Sequence, residues 1–109
     1  MTDQRACVLG AGGHAKVVIQ TLRDAGYLIE AIFDDDPAKT GHLVLGVQVM
    51  GNLDDCVGQA CTAVVIGIGD NRTRARIAQR FLQLAWTSAI HPSAVIAPDV
   101  VIGAGTVIF

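Results

Sequence analysis

The chain has 109 residues, the size of one small domain, since most domains run to about 100–150 residues. Apolar residues make up 51 % and charged residues 17 %, which excludes a disordered tail, and a net charge of −2 with no basic block excludes the footprint of a nucleic-acid or anionic-membrane binder. Polar residues interrupt every apolar run before the roughly 18 needed to cross a membrane, and Cys7, Cys56 and Cys61 lack CxxC spacing; a cytoplasmic protein without a metal site, with Cys7 a buried reduced thiol, is the expectation.

In chain order, the continuous apolar run Ala6-Cys7-Val8-Leu9 ends at Gly10 and fits a central parallel strand covered on both faces. Ala15, Val18, Ile19 and Leu22 then recur at helical spacing, predicting a helix from about His14 to Ala25 with Gly26 as its stop. Tyr27 to Phe33 reads as a second strand, with Ile29, Ala31 and Phe33 on one face, ending in Asp34-Asp35-Asp36-Pro37. The three elements make one right-handed βαβ unit.

His42 to Met50 alternates around Gly46 and predicts a hairpin near the sheet edge, and Asn52 is placed to cap a short helix carrying Leu53, Cys56 and Val57. Ala63 to Ile66 is a third buried strand, running into Gly67-Ile68-Gly69-Asp70-Asn71. Asp70 or Asn71 caps a further helix that buries Ile77, Ala78, Phe81 and Leu82 and leaves Arg72, Arg74, Arg76 and Arg80 near solvent; Trp86 to Ile90 is a fourth strand. The expected fold is α/β, a small parallel sheet of order 2-1-3-4 flanked by helices, over residues 1–89.

Residues 90–109 change character. Ile90, Ile96, Ile102 and Ile108 recur every six residues, with Ala94, Val100 and Thr106 four places after the first three. That period is the mark of a parallel β-helix, in which three hexapeptides form one triangular coil, so residues 90–107 supply one coil and Ile108-Phe109 opens the next.

Gly10-Ala11-Gly12-Gly13-His14-Ala15 fits G-x-G-x-x-G/A between a strand and a helix. Gly12 and Gly13 let backbone N–H groups approach a phosphate at the helix N-terminus, and His14 is placed to hydrogen-bond a phosphate or sugar hydroxyl. Asp34 and Asp35 stand at the carboxyl end of the second strand, where such folds set carboxylates against ribose or base groups, and Gly69 ends the third strand beside the topological switch point. Solvated turns and structural glycines are the plainer reading of the same residues. No GxSxG, HExxH or Cys/His arrangement is present, and His91 before Pro92 is read as a turn residue, so no catalytic residue is assigned.

Gly10 to Val18 (GAGGHAKVV), Phe33-Asp-Asp-Asp-Pro37, Val65 to Arg72 (VIGIGDNR) and Ile90-His-Pro-Ser-Ala94 leading into hexapeptides together resemble the sialic acid O-acetyltransferase (NeuD) and bacillosamine N-acetyltransferase (PglD) family. The resemblance covers essentially the whole chain. It implies a Rossmann-like domain that binds a UDP- or GDP-linked amino sugar, followed by a left-handed β-helix that binds acetyl-CoA and forms a homotrimer. It places substrate contacts at Gly12, Gly13, His14, Asp34, Asp35 and Gly69, with no metal. The family's catalytic histidine, several hexapeptides further on, and the acetyl-CoA site have no counterpart in this chain, which is therefore expected to be the substrate-binding part and inactive alone. Two other readings are an NAD(P)-binding domain of an oxidoreductase or redox sensor, and a non-enzymatic sugar-nucleotide module.

Overall fold

A computed structural model describes residues 4–59 and 63–82, together with 84, 86, 87, 89, 90, 92, 107 and 108. Cys61, His91, Phe109 and the interior of the six-residue repeat lie outside the described residues.

The central strand β1 (Arg5–Leu9) pairs in parallel with β2 (Leu28–Phe33) on one side and β5 (Ala63–Ile66) on the other. Beyond β2 lies the hairpin β3 (Leu43–Val44) and β4 (Val47–Gly51), antiparallel within itself, with β4 parallel to β2. The sheet is thus mixed, in the order β3-β4-β2-β1-β5. The expected adjacency of the second, first and third strands holds, and the expected hairpin does sit at the edge.

The predicted fourth strand, Trp86 to Ile90, is met in part: Trp86 lies parallel beside β5, as the order 2-1-3-4 expects. Among the described residues, contact beside β5 is limited to a bridge between Val64 and Trp86, with the Thr87 N–H donating to the Val64 carbonyl at 3.0 Å. The Trp86 Nε1–H donates to the Phe81 carbonyl at 2.9 Å and ties this segment to the preceding helix. Ala89–Ile90 (β6) instead pairs in parallel with Val107–Ile108 (β7), each residue opposite the one eighteen places on.

Helix α1 (Gly13–Asp24) starts one residue before the predicted position and covers one face of the sheet. Its Ala15, Val18, Ile19 and Leu22 pack with Ala6 and Val8 of β1, Ile32 of β2, and Ala63 and Val65 of β5. Gly26, at φ +96°, reverses the chain as expected, and the Tyr27 N–H returns to the Leu22 carbonyl.

The opposite face carries helix α2 (Asn71–Arg80) and a 3-10 helix, Leu53–Gly58, that Asn52 caps reciprocally with Asp55. Their Leu53, Cys56 and Ile77, with Phe81, pack on Cys7, Leu9, Ala31, Phe33, Val64 and Ile66. Alternate residues of β1 and β5 therefore serve opposite faces, which explains their unbroken apolar sequences.

Three details depart from expectation. Ile29 faces α1 while Ala31 and Phe33 face α2, because the register with β1 shifts from Ala6–Ile29 to Cys7–Ala31 and skips Glu30. Leu82 is 77 % exposed, since α2 stops at Arg80 and the helical spacing no longer applies beyond it. Cys7 is disulfide-bonded rather than reduced, whereas Cys56 is a buried free thiol.

Candidate functional site

The carboxyl ends of β1, β2 and β5 meet at one edge of the sheet, where three turns are locked to one another. Gly10, at φ +111°, donates its N–H to the Phe33 carbonyl at 2.7 Å, and the Gly67 N–H donates to the Leu9 carbonyl at 2.7 Å. A side chain at Gly10 would strike Ile68 as well as strain the backbone, so glycine is required there. A Cβ at Gly67 would come within 2.8 Å of Val8 and 3.1 Å of the Ala15 backbone. The turn after β5 thus lies directly against the first turn of α1 at Ala15.

Asp34 and Asp35 divide the work of holding this edge. Asp34 accepts from the Ala11 N–H at 2.8 Å through one oxygen and from the Asp36 N–H at 2.8 Å through the other, and Lys39 Nζ lies 3.8 Å away. It thereby pins the glycine turn to the end of β2. Asp35 accepts from the Leu53 N–H at 2.9 Å and pairs with Arg80 at 3.1 Å, while Arg80 also reaches Asp54 at 2.8 Å. The Leu53 N–H, with Arg80 beside it, holds the Asp35 carboxyl below the ordinary carboxylate range despite a smaller opposing effect of burial. Asp36 has a local task, accepting from the Ala38 N–H to cap the 3-10 turn Pro37–Lys39.

Helix α2 closes the site from the other side. Asp70 caps it by accepting from the Thr73 hydroxyl at 2.7 Å and the Thr73 N–H at 2.9 Å, contacts that lower the Asp70 pKa. Arg74, expected near solvent, instead donates to the Ile66 and Ile68 carbonyls at 3.1 and 3.2 Å. It satisfies the last acceptors of β5 and fixes α2 over the turn.

Between these walls lies a cleft of about 340 Å³, bordered by Gly10, Asp34, Asp35, Leu53, Ile68, Thr73, Arg76, Ile77 and Arg80. Of the residues predicted for the site, Asp34 and Asp35 line this cleft. Gly12, Gly13, His14 and Gly69 do not border it. Gly12 caps α1 with extended backbone and no side-chain bond, and a Cβ at Gly12 or Gly13 would meet open space. His14 and Gly69 come together, a Cβ on Gly69 lying 3.7 Å from the imidazole. The structure thus places the predicted carboxylate pair in the cleft and sets His14 beside Gly69 outside its lining.

The residues that sequence reasoning missed are on α2. Thr73, Arg76, Ile77 and Arg80 follow the 3- and 4-residue spacing of one helix face; Arg76 and Arg80 are exposed, as expected, and border the cleft as well.

Residues 5–81 match the model of the PglD N-terminal domain family. The structure superposes with a TM-score of 0.84 on the H141N mutant of perosamine N-acetyltransferase from Caulobacter crescentus, in complex with CoA and GDP-perosamine, at 38 % identity over 98 % of this chain and 52 % of that one. The acetyltransferase domain of PglB from Neisseria gonorrhoeae gives a TM-score of 0.81 at 30 % identity, over 96 % of this chain and 53 % of that one. Uncharacterized protein L142 of Acanthamoeba polyphaga mimivirus is 40 % identical over 95 residues, which are 87 % of this chain and 19 % of that protein. The chain therefore spans about half of the solved acetyltransferases it matches and a smaller share of the viral protein. A Rex-family repressor, at 17 % identity and a TM-score of 0.61, shares the fold alone.

Proposed function

This chain belongs to the PglD N-terminal domain family and corresponds to the N-terminal portion of PglD/NeuD-type acetyltransferases; from that premise we propose that it is the substrate-binding part of a sugar acetyltransferase, holding a UDP- or GDP-linked amino sugar. The observation that carries the reading is the cleft at the carboxyl edge of β1 and β2, with carboxylates on one wall and guanidinium groups on the other. Ligands of α/β sheets bind at that edge. A nucleotide-linked sugar offers hydroxyl and amine donors for Asp34 and Asp35 and a diphosphate for a cation. Gly12, Gly13, His14 and Gly69 form the adjoining rim, against which the sugar extends.

In this reading the chain contributes binding and orientation, and no residue of it is assigned to proton transfer. Acetyl-CoA supplies the acetyl thioester to the sugar amine or hydroxyl, and its site belongs to a hexapeptide β-helix rather than to this cleft. The parallel pairing of Ala89–Ile90 with Val107–Ile108 supports a coil beginning near residue 90, since eighteen residues are three hexapeptides. A homotrimer and a cytoplasmic location follow from the same reading; among the described residues no helix is long and apolar enough to cross a membrane.

The NAD(P) alternative lacks a comparable observation. Against it, the solved acetyltransferases match this chain at 30–38 % identity, whereas the solved Rex-family repressor shares the fold at 17 %. Calorimetry with UDP- and GDP-linked amino sugars, and separately with NAD and NADP, tests the choice. Heat from a nucleotide sugar and none from the nicotinamide dinucleotides is the expected result, and the reverse pattern refutes the proposal.

A further inference from the structure

Arg76 and Arg80 stand one helical turn apart along the same wall of the cleft, yet they are chemically unequal. Arg80 is committed: its guanidinium pairs with Asp35 and Asp54 and lies 4.7 Å above the Phe81 ring. Lys39 likewise lies against Asp34. Among the described residues, Arg76 has no hydrogen bond or ion pair; its electrostatic influence is felt by Asp70, whose oxygen is already engaged by Thr73. With Lys39 against Asp34, and Arg80 shared between Asp35 and Asp54, Arg76 is the one guanidinium of the cleft lining that no carboxylate engages directly among the described residues.

A planar fork of N–H donors suits a phosphate, which it can engage in two parallel hydrogen bonds. The glycine turn is less well placed, because Gly12 and Gly13 lie outside the cleft lining. We infer that Arg76 holds the diphosphate of the nucleotide-linked substrate, and that Arg80 is a positioning residue, which keeps Asp35 in place through their ion pair. This assignment rests on the reading of the cleft as a nucleotide-sugar site and adds to it the side chain that recognises the anion.

The test compares GDP and UDP with guanosine and uridine on the purified protein, using calorimetry for the diphosphates and ligand-observed NMR titration for the nucleosides. Arg76→Ala lowers diphosphate affinity about tenfold or more, as expected for loss of a charge-assisted pair. It also makes diphosphate binding less sensitive to salt and leaves nucleoside binding unchanged. Arg76→Lys retains part of the affinity, and Arg72→Ala, an exposed residue on the same helix and outside the cleft, binds like the parent. Diphosphate affinity in Arg76→Ala equal to the parent's, or an equal loss for nucleoside and diphosphate, overturns the assignment while leaving the nucleotide-sugar reading in place. A parent protein that binds neither the diphosphates nor the UDP- and GDP-linked sugars overturns that reading and the assignment with it.

Discussion

The two faces of the sheet hold their helices by different physics. Helix α1 presents Ala15, Val18, Ile19 and Leu22, all fully buried, and its N-terminus has no side-chain cap. Helix α2 has Ile77 as its one buried residue among those described, and is held by polar contacts: Asp70 with Thr73, Arg74 with the Ile66 and Ile68 carbonyls, and Arg80 with Asp35 and Asp54. Close apolar packing leaves no space for a ligand. A helix fastened by polar contacts stands off the sheet edge, and the cleft is the gap that remains.

The largest effect that tests this contrast is in the α1 core. Ile19→Ala removes a fully buried side chain and is expected to cost about 2–5 kcal/mol, read as a lower midpoint in denaturant unfolding. A shift no greater than that of a surface substitution would show that α1 is not held by burial.

Next comes Gly67→Ala, which sets a methyl group against Val8 and the Ala15 backbone. It is expected to cost about 1–3 kcal/mol by overpacking. Substitution without loss in a thermal melt would mean that α1 can move away from the sheet freely.

The smallest effect, on the α2 face, depends on pH. The Asp35 carboxyl titrates below its unfolded value, so its stabilising contribution is present above about pH 4 and is lost as pH falls through the lower folded value. Asp35→Ala should therefore melt slightly below the parent at pH 7, with the gap closing in more acidic solution. A gap that persisted or widened there would exclude the ion pair and the Leu53 hydrogen bond as its origin.

How much of this was legible along the chain depended on whether the signal was local. The apolar runs of β1 and β5, the helical spacing of α1, the stop at Gly26 and the Asn52 cap are each set within a few residues and read correctly. The carboxylates of the cleft were legible as well, because Asp34 and Asp35 end a strand. The arginines were not: Arg74, Arg76 and Arg80 occupy similar positions in a polar helix, but one binds carbonyls, one has no hydrogen bond or ion pair among the described residues, and one bridges two carboxylates. Their partners Ile66 and Asp35 come from separate strands, and helical periodicity is silent about those.

The sequence by itself determined the α/β class, the family and most strand and helix identities, because these follow from hydrophobic period, turn chemistry and motif order. Tertiary structure decided which predicted residues share the cleft, the skipped Glu30 in β2, the bridge of Trp86 to Val64 and the disulfide at Cys7. Each depends on contacts between residues far apart in the chain, which no local pattern encodes.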